Sequence, residues 1–168
     1  MALKLLSADI TRLEVDAIVN AANTQLWAGG GVCGAIFRAA GYDELQRACN
    51  ALAPIQTGEA VITSGFNLPA KFIIHTAGPI WSGGNNGEEN LLRNCYTNSL
   101  KLAVENDLHS VAFPLISSGI YGYPKFDALT VAVDAIEKFL VQHDLDVILS
   151  VMNQSLLKKF LAAHNVRD

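Results

Sequence analysis

Along the chain, short apolar runs alternate with segments whose apolar residues return at helical spacing. The runs LKLLSA (3–8) and DAIVNAA (16–22) predict strands, and AIFRAAG (35–41) and residues 43–51 predict helices. GEAVITSGF (58–66) and KFIIHTA (71–77) predict two further strands, separated by the turn NLPA. A long helix follows over EENLLRNCYTNSLKLAVEND (88–107), with Leu92, Cys95, Tyr96, Ser99, Leu102 and Ala103 on one face. SVAFPLI (110–116) predicts a short buried strand. After the loop SSGIYGYP, Leu129, Val133, Ile136 and Leu140 repeat at steps of 4, 3 and 4 and mark another helix. DVILSVM (146–152) predicts the last strand, and SLLKKFLAAH (155–164) a closing helix with Asn153 placed to cap it.

Strands that alternate with helices form a largely parallel sheet covered on both faces. The neighbouring runs around NLPA are free to pair antiparallel. The expectation is therefore an α/β fold, a three-layer α/β/α sandwich on a mixed, largely parallel sheet. The loop SGGNNG (82–87) is expected to be a mobile surface loop.

Composition narrows the function. The chain has 168 residues, 51% hydrophobic and 17% charged, enough for one well-filled core and too apolar for disorder. A formal net charge of −4 leaves no basic footprint, so non-specific binding to nucleic acid is not expected. No apolar run reaches the length of a membrane span, and the first residues lack the layout of a signal peptide. The three cysteines, Cys33, Cys49 and Cys95, are odd in number and form no CxxC pair, which suggests reduced thiols and a cytoplasmic protein. His75, His109, His143 and His164 are scattered, with no metal-ligand spacing.

The candidate chemistry lies in two glycine-rich loops. In an open α/β sheet, ligands bind beyond the carboxyl ends of the strands. There, WAGGGVCG follows the strand DAIVNAA, and SSGIYG follows SVAFPLI. Each leads into a helix whose first N–H groups lack intrahelical partners. Consecutive glycine N–H groups form a nest for an anion without any lysine, and two such loops facing each other suit a diphosphate. GGGVCG also satisfies G-x-G-x-x-G at Gly29, Gly31 and Gly34. As a dinucleotide fingerprint it fails, because TQLWA separates it from its strand and the acidic Asp43 and Glu44 come too early. Asn20 reads as a buried residue bonding neighbouring backbone, His75 as a core or loop-supporting histidine, Asp16 as a residue at the start of a strand. Cys49 and Cys95 read as core residues on helices.

Taken together, ADIT (8–11), VDAIVNAAN (15–23), GGGVCGAIFRAAG (29–41), GEAVITSGFNLPAKFIIHTAGPIW (58–81) and ISSGIYGYP (116–124) resemble the macrodomain family, most closely its MacroD-like class. The likeness runs from about Leu5 to the final helix and implies a single macrodomain with a six-stranded mixed sheet and a pocket for ADP-ribose. By that resemblance, Asp9 accepts a hydrogen bond from the adenine amino group, with the backbone of Ile10 beside it. Gly30, Gly31, Val32 and Cys33 line the distal ribose and the phosphates, and Asn23 holds the ribose hydroxyls. Ser117, Ser118, Gly119 and Ile120 close over the diphosphate, and Tyr121 packs on the distal ribose. Met152 and Asn153 flank the adenine.

On this reading, glycines are needed because a Cβ would obstruct the approach of ribose and diphosphate. Ala8 stands where the family motif usually has glycine, and Cys33 stands where MacroD-like hydrolases carry an aspartate. The implied function is ADP-ribose binding with hydrolysis of ADP-ribosyl esters, on ADP-ribosylated proteins or O-acetyl-ADP-ribose. Asn23 and Cys33 are the candidate catalytic residues, with Cys33 more simply a small residue filling the turn. No cofactor is implied, ADP-ribose being the ligand, and the chain is expected to act as a monomer. A module that binds ADP-ribose without turnover is the second reading, and a dinucleotide-dependent oxidoreductase a distant third.

Overall fold

The strands and helices follow the apolar pattern. The computed structural model describes residues 2–164. In chain order it contains β1 (Ala2–Leu6), a single 3-10 turn (Ile10–Arg12), β2 (Ala17–Ala22), α1 (Gly31–Ala40), α2 (Tyr42–Asn50), β3 (Ala60–Ser64) and β4 (Phe72–Ala77). Then come α3 (Glu88–Glu105), β5 (Ser110–Pro114), α4 (Lys125–Leu140), β6 (Asp146–Ser150) and α5 (Gln154–His164). The 6 strands form one sheet in the order β1-β6-β5-β2-β4-β3. Only β3 runs antiparallel, pairing with β4 across the NLPA turn. The expected mixed α/β/α sandwich is the observed one.

Alternation along each strand sends neighbours to opposite faces. Ile18 of β2 and Ile73 of β4 pack against Ile36, Phe37, Leu45 and Cys49 of α1 and α2. Val19 and Ile74, one residue on, face the other way, onto Leu92 and Tyr96 of α3 and Leu129 and Ile136 of α4. Phe160 of α5 closes that second core. Each such side chain, fully buried, contributes about 1.5–3 kcal/mol. On α3 the buried face includes Leu100, while Leu102 is only partly covered. No described helix is long and apolar enough to cross a membrane.

Three local expectations are corrected. Helix α1 begins at Gly31, four residues before the predicted Ala35, so Cys33 lies in its first turn and not in a loop. Gly31 enters the helix at φ +57°, a conformation that favours glycine. The loop 82–87, expected to be mobile, is gathered around the buried carboxylate of Glu88. That carboxylate accepts from the N–H groups of Ser82 at 2.9 Å, Gly84 at 3.0 Å and Asn86 at 2.7 Å. Asn20 bonds side chains and not backbone, standing 3.1 Å from His75 and 3.7 Å from Cys33.

Candidate functional site

The carboxyl ends of β1, β2, β5 and β6 open onto a cleft of about 660 Å³, a size that suits a nucleotide-like molecule. Every residue that the resemblance assigned to the ligand, from Asp9 to Asn153, lies on its wall, whereas Asn20 and His75 do not. The sequence reading passed over Lys125, the one lysine there. It also passed over Ser150, whose hydroxyl donates to the carbonyl of Ala8 and so ties the first loop to the end of β6.

At one end, Asp9 caps the 3-10 turn. Its Oδ1 accepts from Thr11 N at 3.0 Å and Thr11 Oγ1 at 2.7 Å, which holds its carboxyl below the usual carboxylate range. The side chain stays exposed, with Oδ2 near the exposed guanidinium of Arg12 at 3.6 Å. Met152, 67% exposed, also lines the cleft, and its carbonyl accepts from Ser7 Oγ at 3.5 Å. Asn153 caps α5, its Oδ1 accepting from Leu156 N at 3.0 Å.

The middle of the cleft is made by the two loops. After β5, Tyr96 fixes the root of the second loop from beneath: its buried hydroxyl accepts from Ile116 N at 3.1 Å and donates to Pro114 O at 3.3 Å. Ser117 follows at φ +67°, a left-handed backbone that a serine adopts only when its surroundings impose it. Its Oγ donates to Pro79 O at 2.8 Å, and its carbonyl accepts from Tyr123 N at 2.9 Å. The close passage requires Gly78, where a Cβ would sit 2.3 Å from Ser117 Oγ. Lys125 Nζ donates to Ser118 O at 2.7 Å. Across a trans peptide the carbonyl and the next N–H point opposite ways, so this bond also sets the direction of the Gly119 N–H. Within the described residues, the N–H groups of Ser117 to Tyr121 donate to no backbone or side-chain acceptor.

Facing them is the first turn of α1. Gly30 is its cap, and the N–H groups of Gly31, Val32 and Cys33 have no intrahelical acceptor. The glycines here serve different ends. A Cβ on Gly34 would lie 2.5 Å from Gly29 O, so that position is closed, whereas Gly30 and Gly119 look into open space. The expectation that any Cβ would obstruct the cleft therefore narrows: the backbone itself requires Gly31 and Gly34. Two sets of unpaired N–H groups on opposite walls can hold an anion without a cationic side chain.

At the far end, the Asn23 carboxamide brackets the main chain of Trp27, accepting from its N–H at 3.0 Å and donating to its carbonyl at 2.9 Å. Gln46 of α2, also unnoticed in the sequence, supports the same loop by accepting from Ala28 N at 2.9 Å and donating to Leu26 O at 3.0 Å. Behind them Cys33 is buried, 6% exposed. Its Sγ accepts from Asn20 Nδ2 at 3.7 Å and donates to Trp27 O at 3.8 Å. Burial pushes the thiol pKa up. Among the described residues, no group of three or more His, Cys, Asp or Glu comes together to hold a metal ion.

The macro domain profile matches residues 19–132, which carry both loops and the strands that aim them. The chain belongs to the macro domain family. A curated macro domain-containing protein from Chlorobaculum tepidum is 58% identical over 135 residues, 80% of this chain and 78% of that one. A protein from Escherichia fergusonii named O-acetyl-ADP-ribose deacetylase is 51% identical over 145 residues, 84% of this chain and 81% of that one. Among solved structures, the Oceanobacillus iheyensis macrodomain with ADP is 42% identical at a TM-score of 0.89, covering 96% of this chain and 90% of that one. The Trypanosoma brucei macrodomain in complex with ADP-ribose is 38% identical at a TM-score of 0.86, covering 96% and 68%. The macrodomain fold expected from the sequence is thus shared with proteins solved with ADP or ADP-ribose.

Proposed function

We propose that the cleft binds ADP-ribose and that the protein hydrolyses ADP-ribosyl esters, splitting with one water the bond between the distal ribose and a carboxylic acid. The observation that carries this is the facing pair of unpaired N–H walls, Ser117–Tyr121 and Gly31–Cys33, between Asp9 at one end and Asn23 at the other. A diphosphate held between the walls puts an adenine against Asp9, Ile10 and Met152, and a ribose against Asn23, Cys33 and Tyr121. Solved macrodomains with ADP and with ADP-ribose support the choice of ligand. The relative named as an O-acetyl-ADP-ribose deacetylase supports the choice of reaction.

Among the described residues that line the reacting end, none is an ionised side chain able to act as base. Cys33 is buried, with its thiol pKa raised, so at neutral pH it is a thiol and not a thiolate nucleophile. The work left to the chain is positioning. Asn23, fixed by its two bonds to Trp27, holds the ribose in one pose. The N–H walls fix the phosphates, so that a water ordered by the ligand's own phosphate meets the ester carbon. The ester breaks to free ADP-ribose and the carboxylic acid, which loses its proton to solvent.

The test is incubation with a protein ADP-ribosylated on Asp or Glu, and separately with O-acetyl-ADP-ribose, with release of ADP-ribose followed over time. Calorimetry with ADP-ribose and NAD reads binding, where ADP-ribose is expected to be much the tighter. Binding without turnover makes the protein a reader of ADP-ribose, the second reading, which rests on Cys33 standing where MacroD-like hydrolases carry an aspartate. Tighter NAD binding points to a dinucleotide enzyme.

A further inference from the structure

Trp27 is tied to the Asn23 end of the cleft but does not line it. Its N–H and carbonyl are both held by the Asn23 side chain, at 3.0 and 2.9 Å, and the same carbonyl lies 3.8 Å from Cys33 Sγ. The indole is 60% exposed and makes no ring pair among the described residues. The residue before it, Leu26, has a left-handed backbone at φ +57° and is itself buried. A bulky residue rarely adopts that conformation, and strain of this kind persists where the surroundings impose it. Here they do. Leu26 N donates to Asn23 O at 3.1 Å, and Gln46 holds Leu26 O and Ala28 N. The local backbone buries the leucine and leaves the larger aromatic in water, on a frame bonded on every side.

We infer that Trp27 contacts the polypeptide that carries the ADP-ribosyl group, so that ADP-ribosylated proteins are preferred over small acyl esters. The inference rests on the ester-hydrolase reading of the cleft. In that reading the bond to be split lies beside Asn23 and Cys33, and the acceptor must leave the cleft at that end. An acetyl group ends there. A modified aspartate or glutamate continues into backbone and neighbouring side chains, and Trp27 offers an exposed apolar surface tied through its main chain to the Asn23 end of the cleft. An aromatic on a fixed main chain loses little freedom on contact, and tryptophan is, with tyrosine and arginine, enriched among energetic centres of interfaces.

The experiment compares wild type, Trp27→Ala and Trp27→Phe on the two substrates. Neither change touches the main-chain bonds to Asn23. Trp27→Ala is expected to lower kcat/KM on the ADP-ribosylated protein roughly tenfold, the usual scale for loss of a central aromatic contact. The rate on O-acetyl-ADP-ribose and the affinity for ADP-ribose should stay within about twofold, and Trp27→Phe should recover most of the loss. An unchanged rate on the protein, or an equal fall on both substrates, overturns the inference.

Fluorescence gives a second readout. With Trp81→Phe, which keeps a ring against Tyr123, Trp27 is the single indole. Its emission should shift on adding an ADP-ribosylated peptide and not on adding free ADP-ribose; no difference between the two overturns the contact. Should neither substrate turn over, the hydrolase reading fails, and affinities still decide the contact. A modified peptide should then bind wild type more tightly than ADP-ribose does, and lose that advantage in Trp27→Ala. No advantage in wild type removes Trp27 from recognition.

Discussion

Asn20 and His75 are direct neighbours across β2 and β4, and Asn20 Nδ2 stands 3.1 Å from His75 Nδ1 in the centre of the sheet. The amide donates, so Nδ1 is the acceptor and the ring proton sits on Nε2, 2.9 Å from Thr63 Oγ1. The same amide reaches Cys33 at 3.7 Å. A buried polar line thus runs from the edge strand to the reacting end of the cleft, and it requires a neutral imidazole. Burial lowers the His75 pKa from 6.5 to about 3.

This neutral histidine sets how stability responds to acid. Below about 6.5 the unfolded chain takes up a proton on His75 that the folded protein refuses until about 3. Stability is therefore fully present above pH 6.5 and falls as pH drops toward 3. Glu88, held at about 2 against a usual 4.5 by the N–H groups of its loop, adds a loss of the same sign only below pH 4.5. Between pH 6.5 and 4.5 the slope is thus expected to come from His75. Melting temperatures of wild type should fall from pH 7 to pH 5, and those of His75→Gln should fall less. An equally steep fall in the variant would assign the slope to other groups.

Asp9 has two tasks that substitution can separate. It caps the 3-10 turn through Thr11, and in the proposed function it accepts from adenine. Asp9→Ala removes both and should weaken ADP-ribose binding by about 1.5–3 kcal/mol while lowering stability by about 1 kcal/mol. Asp9→Asn keeps an acceptor for the cap, so its melting temperature should match wild type, with a smaller loss of affinity from the missing charge. Calorimetry beside thermal melts separates the effects, and wild-type affinity in Asp9→Ala would remove the residue from the ligand.

Periodicity made the layers legible because each amphipathic helix and each strand buries its own pattern. Leu129, Val133, Ile136 and Leu140 are all buried where their spacing placed them. The start of α1 was hidden because glycines carry no helical signal, and Gly31 enters the helix from a left-handed backbone. The order of loop 82–87 was hidden because it depends on one carboxylate, Glu88, read simply as part of the next helix. The cleft walls were legible as glycine-rich loops after strands. Lys125, Gln46 and Trp27 were not, since their roles come from where a side chain or a turn points, and no spacing records that.

The phosphate wall can be tested without disturbing the fold. A Cβ on Gly119 meets nothing within 4 Å, so Gly119→Glu should fold with a near wild-type melting temperature. It places bulk and negative charge beside the unpaired N–H groups of Ser117–Tyr121, where the proposed ligand carries its own negative charge. ADP-ribose binding should become unmeasurable by calorimetry. Near wild-type affinity would reduce this loop to a turn.

Cys33 is where the positioning mechanism meets its sharpest alternative. A thiol acting as nucleophile or base would make Cys33→Ala lose about 10²–10⁴-fold in hydrolysis. The structure gives the thiol a buried site, a raised pKa and partners in Asn20 and the Trp27 carbonyl, none of which favours the thiolate. Cys33→Ala should therefore change the rate by only about threefold, the scale of a small shift in pose. Asn23→Ala should be far more damaging, about 10²-fold, because it frees both the ribose and the Trp27 main chain that Asn23 now fixes at 2.9 and 3.0 Å. Cys33→Asp should keep or raise activity, since the Asn20 amide that now faces Sγ is a ready donor to a carboxylate. The rates of ester cleavage by the three variants, each normalised to its ADP-ribose affinity, decide the matter. An inactive Cys33→Ala with unaltered affinity would return the chemistry to the thiol.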